Sequence, residues 1–233
     1  MITRRPIGPA VPNWTPPKRP KAVALDGQYA RLEPLAKKHG TALHKANSAD
    51  SEGNIWTYLP YGPFKSARAY GVWLEEMSGQ KDPFFYAIYD KEADAFGGVA
   101  SFLRIKPESG SIEVGHINFA PALQKTKAAT EAIYLMMNWA FDAGYRRFEW
   151  KCDALNAASM NAAKRYGFYY EGTFRQATMY KGRNRDTAWF AVIDKDWTPL
   201  KSAYDAWLDP TNFDEDGRQI KRLSSLTAPM ATK

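Results

Sequence analysis

A single cysteine, Cys152, stands in 233 residues, so no disulfide can form within the chain. A reducing, cytoplasmic setting is the expectation from that scarcity. No apolar run reaches the roughly 20 residues that a membrane-spanning helix needs, and no membrane contact is expected. The first residues, MITRRPIGPAVPNW, are basic and lack the continuous apolar segment of a secretory signal. No internal repeat is visible, so a solenoid or propeller is not expected. No metal site is expected either.

Hydrophobic residues make up 45% of the chain and charged residues 24%, which fits one globular domain with extensions or at most two small domains. Its length suffices to bury a core without staples. The net charge of +7 suits an anionic ligand, nucleic acid or an acidic protein surface, and charge alone does not choose among them. Aromatics are abundant, with eight tryptophans, and core packing is their first use.

Residues 1–24 are rich in proline and basic residues and read as an extended arm. Residues 209–233 are polar and aperiodic and read as a second arm or tail. Residues 25–208 form the expected domain. Within it, residues 29–35 (YARLEPL) read as a strand and 36–48 as a helix. The stretch 56–64 (WTYLPYGPF) has two prolines and a glycine and reads as a loop. Ser66 opens a helix to Met77 with Ala67, Tyr70, Trp73, Leu74 and Met77 on one face. Strands follow at 84–89, 96–105 and 111–119, joined by hairpin turns. Residues 126–143 read as a long helix stopped by Gly144. A strand at 147–152 puts Phe148, Trp150 and Cys152 on one face. A helix at 156–166, strands at 169–176 and 187–193 and a helix at 197–208 complete the order. Three hairpin strands before a strand–helix–strand unit argue for a mixed sheet, antiparallel first and then parallel.

The stretch SIEVGHINFAPALQKTKAAT, residues 111–130, is the most informative. It reads as a strand, a short basic turn and a helix start. A helix start presents free N–H groups and the positive end of a dipole, a ready site for phosphate. Lys125 and Lys127 add positive charge to the turn.

That order of elements, with IEVGHINFAP, QKTKAATEA, NAASMNAAKRYGF, YYEGTFR and KGRNRDTAWFAVIDKDW in sequence, resembles the GNAT acetyltransferase superfamily over residues 29–197. Within it the chain is more similar to the RimJ/RimL-like branch, typified by acetylation of protein N-terminal amines. The resemblance implies an α/β GNAT-like acyl-CoA N-acyltransferase fold. Its central sheet is mostly antiparallel, flanked by helices, and splayed between the fourth and fifth strands, here residues 111–119 and 147–152. The family turn is Q/R-x-x-G-x-G/A. Gln124 and Ala129 match it, and Lys127 stands where glycine is usual.

Acetyl-CoA is the implied cosubstrate. Its pyrophosphate would lie on the turn formed by Gln124, Lys125, Thr126, Lys127, Ala128, Ala129 and Thr130. The backbones of Asn118 and Phe119 would hold the pantetheine and polarise the thioester carbonyl. Asn156 and Ser159 match the next motif, whose residues contact the pantetheine arm, and Asn156 would equally cap its helix.

The implied reaction is direct attack of a neutral amine, so a proton must be accepted. Glu113, eleven positions before Gln124, matches the family's glutamate base and is the first choice. His116 is the rival, with an intrinsic pKa better suited to the task. Strict alternation puts the two on opposite strand faces unless a bulge re-aims one. The family's tyrosine general acid is missing, since Ala163 occupies its position. Tyr166 lies three residues along and points elsewhere, and Tyr180 is a substitute to consider. A two-step route through Cys152 is set aside, because a strand cysteine is usually a small core residue.

The acceptor pocket is expected from the loop 56–64 and the hairpin around Gly182, with Trp56, Tyr58 and Tyr61 as walls. Arg183 and Arg185 would read an acidic acceptor or pair with Asp186. The expected activity is therefore acetyl transfer to a primary amine, a protein N-terminus or a small molecule. The alternative is a catalytically silent module that binds RNA or a ribosomal surface through its basic arms. The enzyme reading is preferred, nucleic acid is not the expected partner, and the tryptophan-rich C-terminal region leaves a homodimer open.

Overall fold

Two short strands open the fold, β1 (Leu25–Asp26) and β2 (Ala30–Pro34), followed by α1 (Gly40–Asn47) and α2 (Ala67–Met77). The computed structural model, which describes residues 5–228, continues through β3 (Phe84–Asp90), β4 (Ala95–Lys106) and β5 (Ser111–Phe119). Then come α3 (Lys127–Asp142), β6 (Arg147–Asp153), α4 (Ala157–Arg165), β7 (Tyr169–Tyr180), β8 (Arg183–Ile193), α5 (Asp194–Leu208) and α6 (Leu223–Thr227). The eight strands form one mixed sheet in the order β1-β2-β3-β4-β5-β6-β8-β7. Every pairing is antiparallel except β5 with β6. Among the described residues no helix is long and apolar enough to cross a membrane.

Alternation along β3 builds a core on each face of the sheet. Tyr86 and Ile88 join Met136, Phe148 and Leu200 beneath α3, α4 and α5. Phe85 and Ala87 join Leu43, Trp56, Tyr70 and Trp73 beneath α1 and α2. Helix ends are capped as the sequence leads one to expect. Ser66 Oγ accepts from Ala69 N at 3.2 Å at the start of α2. Gly144, just past α3, adopts φ 96°, a conformation that glycine takes without steric cost.

Two regions differ from expectation. The last two strands extend to the tip of their hairpin at Lys181–Gly182, although RQATMY does not alternate, because β7 is an edge strand exposed along nearly its whole length. The segment after Leu208 is not a free tail. Phe213 packs edge-on against Tyr29 and Trp207, at ring distances of 6.1 and 5.2 Å, and Leu223 is fully buried. The proline-rich arm is also docked. Trp14 Nε1 donates to Gly144 O at 3.2 Å, and Arg19 donates to Ile105 O at 3.0 Å and pairs with Asp82. The outer ends of both arms, 1–4 and 229–233, lie outside the described residues.

Candidate active site

β5 and β6 run in register only from Ser111↔Arg147 to Val114↔Trp150. Beyond that point β6 stays paired with β8 through Asp153, while β5 continues to Phe119 beside β4. The two strands therefore part, and from Gly115 onward the β5 edge that faced β6 has no strand beside it among the described residues. A bulge sits at the parting. The β4–β5 register passes from Ser101↔Gly115 to Val99↔Asn118, so His116 and Ile117 together oppose Ala100. His116 has φ 51°, the left-handed region that a non-glycine residue occupies at a cost of about 1–3 kcal/mol.

This bulge settles the question of faces. Glu113 lies opposite Leu103, Gly115 opposite Ser101 and Ser101 opposite Phe85, all on the side of α1 and α2. The His116 ring turns onto the same side, stacked on Tyr61 at 5.6 Å and 5.2 Å from Phe85. Its Nδ1 lies 3.2 Å from the Tyr61 hydroxyl. Glu113 and His116 thus share a face.

Their electrostatic settings differ. Glu113 is 2% exposed. Arg104 Nη1 donates to its Oε1 at 2.6 Å, and Lys151 Nζ lies 2.9 Å from its Oε2. Lys151 also donates to Glu149 at 2.8 Å and sits 3.8 Å over the Trp189 ring. Arg147 continues the chain of charges to Glu149 and Glu171. Burial raises the Glu113 carboxyl above its ordinary value, against the pull of Lys151 and Arg104. Burial, then the charges of Arg104 and Arg185, lower the His116 ring to about 4, so it is neutral at physiological pH. His116 Nε2 has no hydrogen-bond partner among the described residues.

The turn after β5 carries open donors. Gln124 Nε2 donates to Phe119 O at 3.0 Å and draws the turn closed. Lys125 takes φ 65°. Thr126 caps α3, its Oγ1 accepting from Ala129 N at 3.0 Å and donating to Leu123 O at 2.9 Å. The backbone N–H groups of Lys125, Lys127 and Ala128 have no partner among the described residues. Successive N–H groups around a left-handed residue at a helix start form an anion-binding concavity. The small side chains of Ala128 and Ala129 are buried, and Thr130 Oγ1 accepts from Arg165 at 3.1 Å.

Lys127 does not lend its ammonium to this turn. The side chain lies between the Tyr29 and Phe213 rings, 4.8 Å from each, and pairs with Glu92. The expectation of two mobile charges in the turn is therefore corrected to one, that of exposed Lys125. Long aliphatic stems commonly bury this way along apolar surface.

At the far side of the gap, Asn156 caps α4 by accepting from Ser159 N at 3.0 Å, and Ser159 Oγ accepts from Trp150 Nε1 at 3.0 Å. Asn118 is 1% exposed, and neither atom of its side-chain amide has a partner among the described residues. Ala163 is buried in the core, and Tyr166 packs on Trp150 and Arg165. Tyr180 donates to Asp153 Oδ2 at 2.8 Å, and burial with that carboxylate pushes its hydroxyl up to about 12. Cys152 is buried among core residues, its thiol raised chiefly by burial.

The aromatic loop and the β7–β8 hairpin do meet. Lys181 Nζ donates to Trp56 O at 2.7 Å, and Tyr58 Oη donates to Leu155 O at 3.1 Å. Trp56 is buried, 6.3 Å from Tyr61, and Tyr58 and Tyr61 are the more open of the three rings. Asp186 accepts from Gln176 N and Asn184 Nδ2 rather than from either arginine, and Arg185 Nε donates to Thr187 at 3.2 Å. Lys151 and Arg104 were absent from the sequence-based expectations. The signal for Lys151 was its place between Trp150 and Cys152, on the face opposite those two core side chains.

The family described as acetyltransferase (GNAT) domain matches residues 30–169. The chain is 44% identical to a crystallised GCN5-related N-acetyltransferase from Brucella melitensis, covering 94% of this chain and 100% of that one with a TM-score of 0.91. A crystallised probable acetyltransferase of the GNAT family from Chromobacterium violaceum is 40% identical, covering 84% and 99% with a TM-score of 0.77. An uncharacterised N-acetyltransferase, p20, of Bacillus licheniformis is 24% identical over 151 residues, which is 63% of this chain and 84% of that protein. With the parted strands and the open turn they frame, these matches identify the chain as a member of the GNAT acetyltransferase family.

Proposed function

We propose that the protein is an acetyl-CoA-dependent N-acetyltransferase whose acceptor is a primary amine, either a protein N-terminus, as in the RimJ/RimL-like branch its motifs resemble, or a small molecule. The observation that carries the proposal is the parting of β5 from β6 next to a turn with three N–H groups that have no partner among the described residues. Both features suit a cosubstrate with an anionic diphosphate and an extended amide-bearing arm. Acetyl-CoA supplies the acetyl group as a reactive thioester.

The turn N–H groups of Lys125, Lys127 and Ala128 hold phosphate oxygens, with Lys125 adding charge. Backbone amides along β5 from Gly115 to Phe119 bind the pantetheine and polarise the carbonyl. Tyr58, Tyr61 and Trp56 wall the acceptor and exclude water. His116, rather than Glu113, takes the proton. Both Glu113 oxygens already lie against cations, whereas Nε2 of the neutral His116 ring has no partner among the described residues. A base with a pKa near 4 suffices, because the amine nitrogen becomes acidic as its bond to the acetyl carbon forms. As that bond forms, the carbon–sulfur bond breaks, and the leaving sulfur takes a proton from water. Glu113 and Lys151 position the floor of the site.

Purified protein should melt at a higher temperature with acetyl-CoA. A concentration 100 times Kd should add about 2.7 kcal/mol of stability. Incubation with acetyl-CoA and a library of amines and peptides, read by mass spectrometry, should show a gain of one acetyl group. No melting shift with acetyl-CoA or CoA would sink the proposal.

The buried seat of Lys127 makes a counterintuitive prediction. Lys127→Ala should change acetyl-CoA affinity by less than about threefold, because only the backbone of Lys127 faces the ligand. It should lower stability by about 1–2 kcal/mol, through the lost contacts with two rings and Glu92. Isothermal titration and urea unfolding read the two effects separately. A tenfold loss of affinity at unchanged stability would reverse the assignment.

A further inference from the structure

A second cavity, of about 280 Å³, lies between the end of α1, the start of α2 and the loop joining them. None of Glu113, His116 or the turn residues 124–130 lines it. Its floor holds Asn47, 5% exposed, whose amide nitrogen and oxygen both lack a hydrogen-bond partner among the described residues. The Tyr70 hydroxyl beside it is buried too; burial raises its pKa and Asn47 lies near enough to pull it part of the way down, though no contact between the two meets hydrogen-bond geometry. Buried polar groups are paired in the great majority of cases, and each exception invites a reason.

The walls and rim indicate the missing partner. The rings of Trp56, Phe64 and Tyr70 face the cavity, packed edge-to-face, with Phe64 5.3 Å from each of the other two. Asp50 and Glu52 stand at the rim, and neither has an ion-pair partner among the described residues. Among the described residues no lysine or arginine lines the cavity, although the chain carries a net charge of +7. Unneutralised carboxylates over aromatic faces attract a cation. An amide oxygen and a phenol oxygen at the floor accept N–H donors. The volume, just under the range of pockets for drug-sized ligands, suits a small molecule.

We infer that this cavity is a second binding site, separate from the parted strands, for a small primary ammonium cation. Its occupant donates to Asn47 Oδ1 and the Tyr70 hydroxyl and lies against the Trp56 and Phe64 rings under Asp50 and Glu52. Trp56 and Phe64 also touch Tyr61, on which His116 stacks. Occupancy is thereby felt at the wall of the candidate acceptor pocket.

The test uses the full chain without acetyl-CoA, so its outcome is independent of acetyl transfer. Histidine ring NMR resolves three residues, and His44 lines the cavity whereas His116 does not. Butylamine should shift the His44 signals to saturation at millimolar concentration, and 1-butanol of the same shape should not. Glu52→Gln, at an exposed position, should weaken the butylamine response at least fivefold. Asn47→Leu should abolish it while leaving the urea midpoint equal or higher, because an unpaired buried amide is removed. A shift confined to His116, an equal response to butanol, or an unaltered response in Glu52→Gln would overturn the site. A lowered midpoint in Asn47→Leu with butylamine binding retained would do the same and assign Asn47 to the fold alone.

Discussion

Glu131→Ala should lower unfolding free energy by about 4 kcal/mol, the largest single-residue loss of stability expected outside the apolar core. The Glu131 carboxylate is 4% exposed and accepts from Gln28 N at 2.8 Å and from Tyr29 N and Ala30 N at 2.6 Å each. These donors open β2, beside the sheet edge. The Tyr29 and Ala30 donors are buried, and the alanine variant leaves them unpaired at about 1–3 kcal/mol each, with a lost charge-assisted bond besides. Gly27 lets the carboxylate approach the backbone, since a Cβ there would stand 2.5 Å from it. For a chain of this size the melting temperature should fall by roughly 10 °C. Glu131→Gln should fall between, retaining one acceptor oxygen. A urea-derived loss below about 1 kcal/mol for the alanine variant would show that water replaces the carboxylate freely.

His116→Phe should reduce kcat/KM for acetyl transfer at least about 100-fold, the lower end of what a positioned base contributes. Phenylalanine keeps a ring against Tyr61 and Phe85 and removes the proton acceptor together with the Nδ1 contact to the Tyr61 hydroxyl, neither of which touches the turn at Gln124, so the melting shift with acetyl-CoA should survive. The pH dependence follows from the lowered His116 value. The ring must be neutral to act, so once the falling neutral fraction of the amine is divided out, kcat/KM of the wild-type protein should hold from neutrality down to about pH 5 and fall as pH drops through about 4. The variant should lack that acid limb. Glu113→Gln should act differently. It leaves the charges of Lys151 and Arg104 without their carboxylate and loses stability as well as rate. If His116→Phe keeps its rate while Glu113→Gln loses it without loss of stability, the base is Glu113.

The strand–turn–helix around Gln124 could be read from residue order, because its strand alternates and its helix is periodic. The splay could not be read that way, since it depends on where the β5–β6 register stops, and nothing in VGHINF marks that point. The bulge was equally hidden. A glycine would have signalled a left-handed residue, but the turn falls on His116, one place past Gly115. Strict alternation therefore assigned the wrong relation between Glu113 and His116. The role of Lys127 was unreadable because its partners, Tyr29, Glu92 and Phe213, are scattered along the chain. The C-terminal segment was misjudged for a related reason. Its polar composition hides the isolated Phe213 and Leu223, whose burial depends on surfaces built elsewhere.

A boundary drawn after Leu208 would keep every residue of the acetyltransferase signature. It would also strip away Phe213, one side of the cage that grips Lys127 at the first turn of α3. A truncated protein would then be complete as a motif and incomplete as a scaffold, its candidate anion-binding turn resting on a helix whose first residue had lost its anchor.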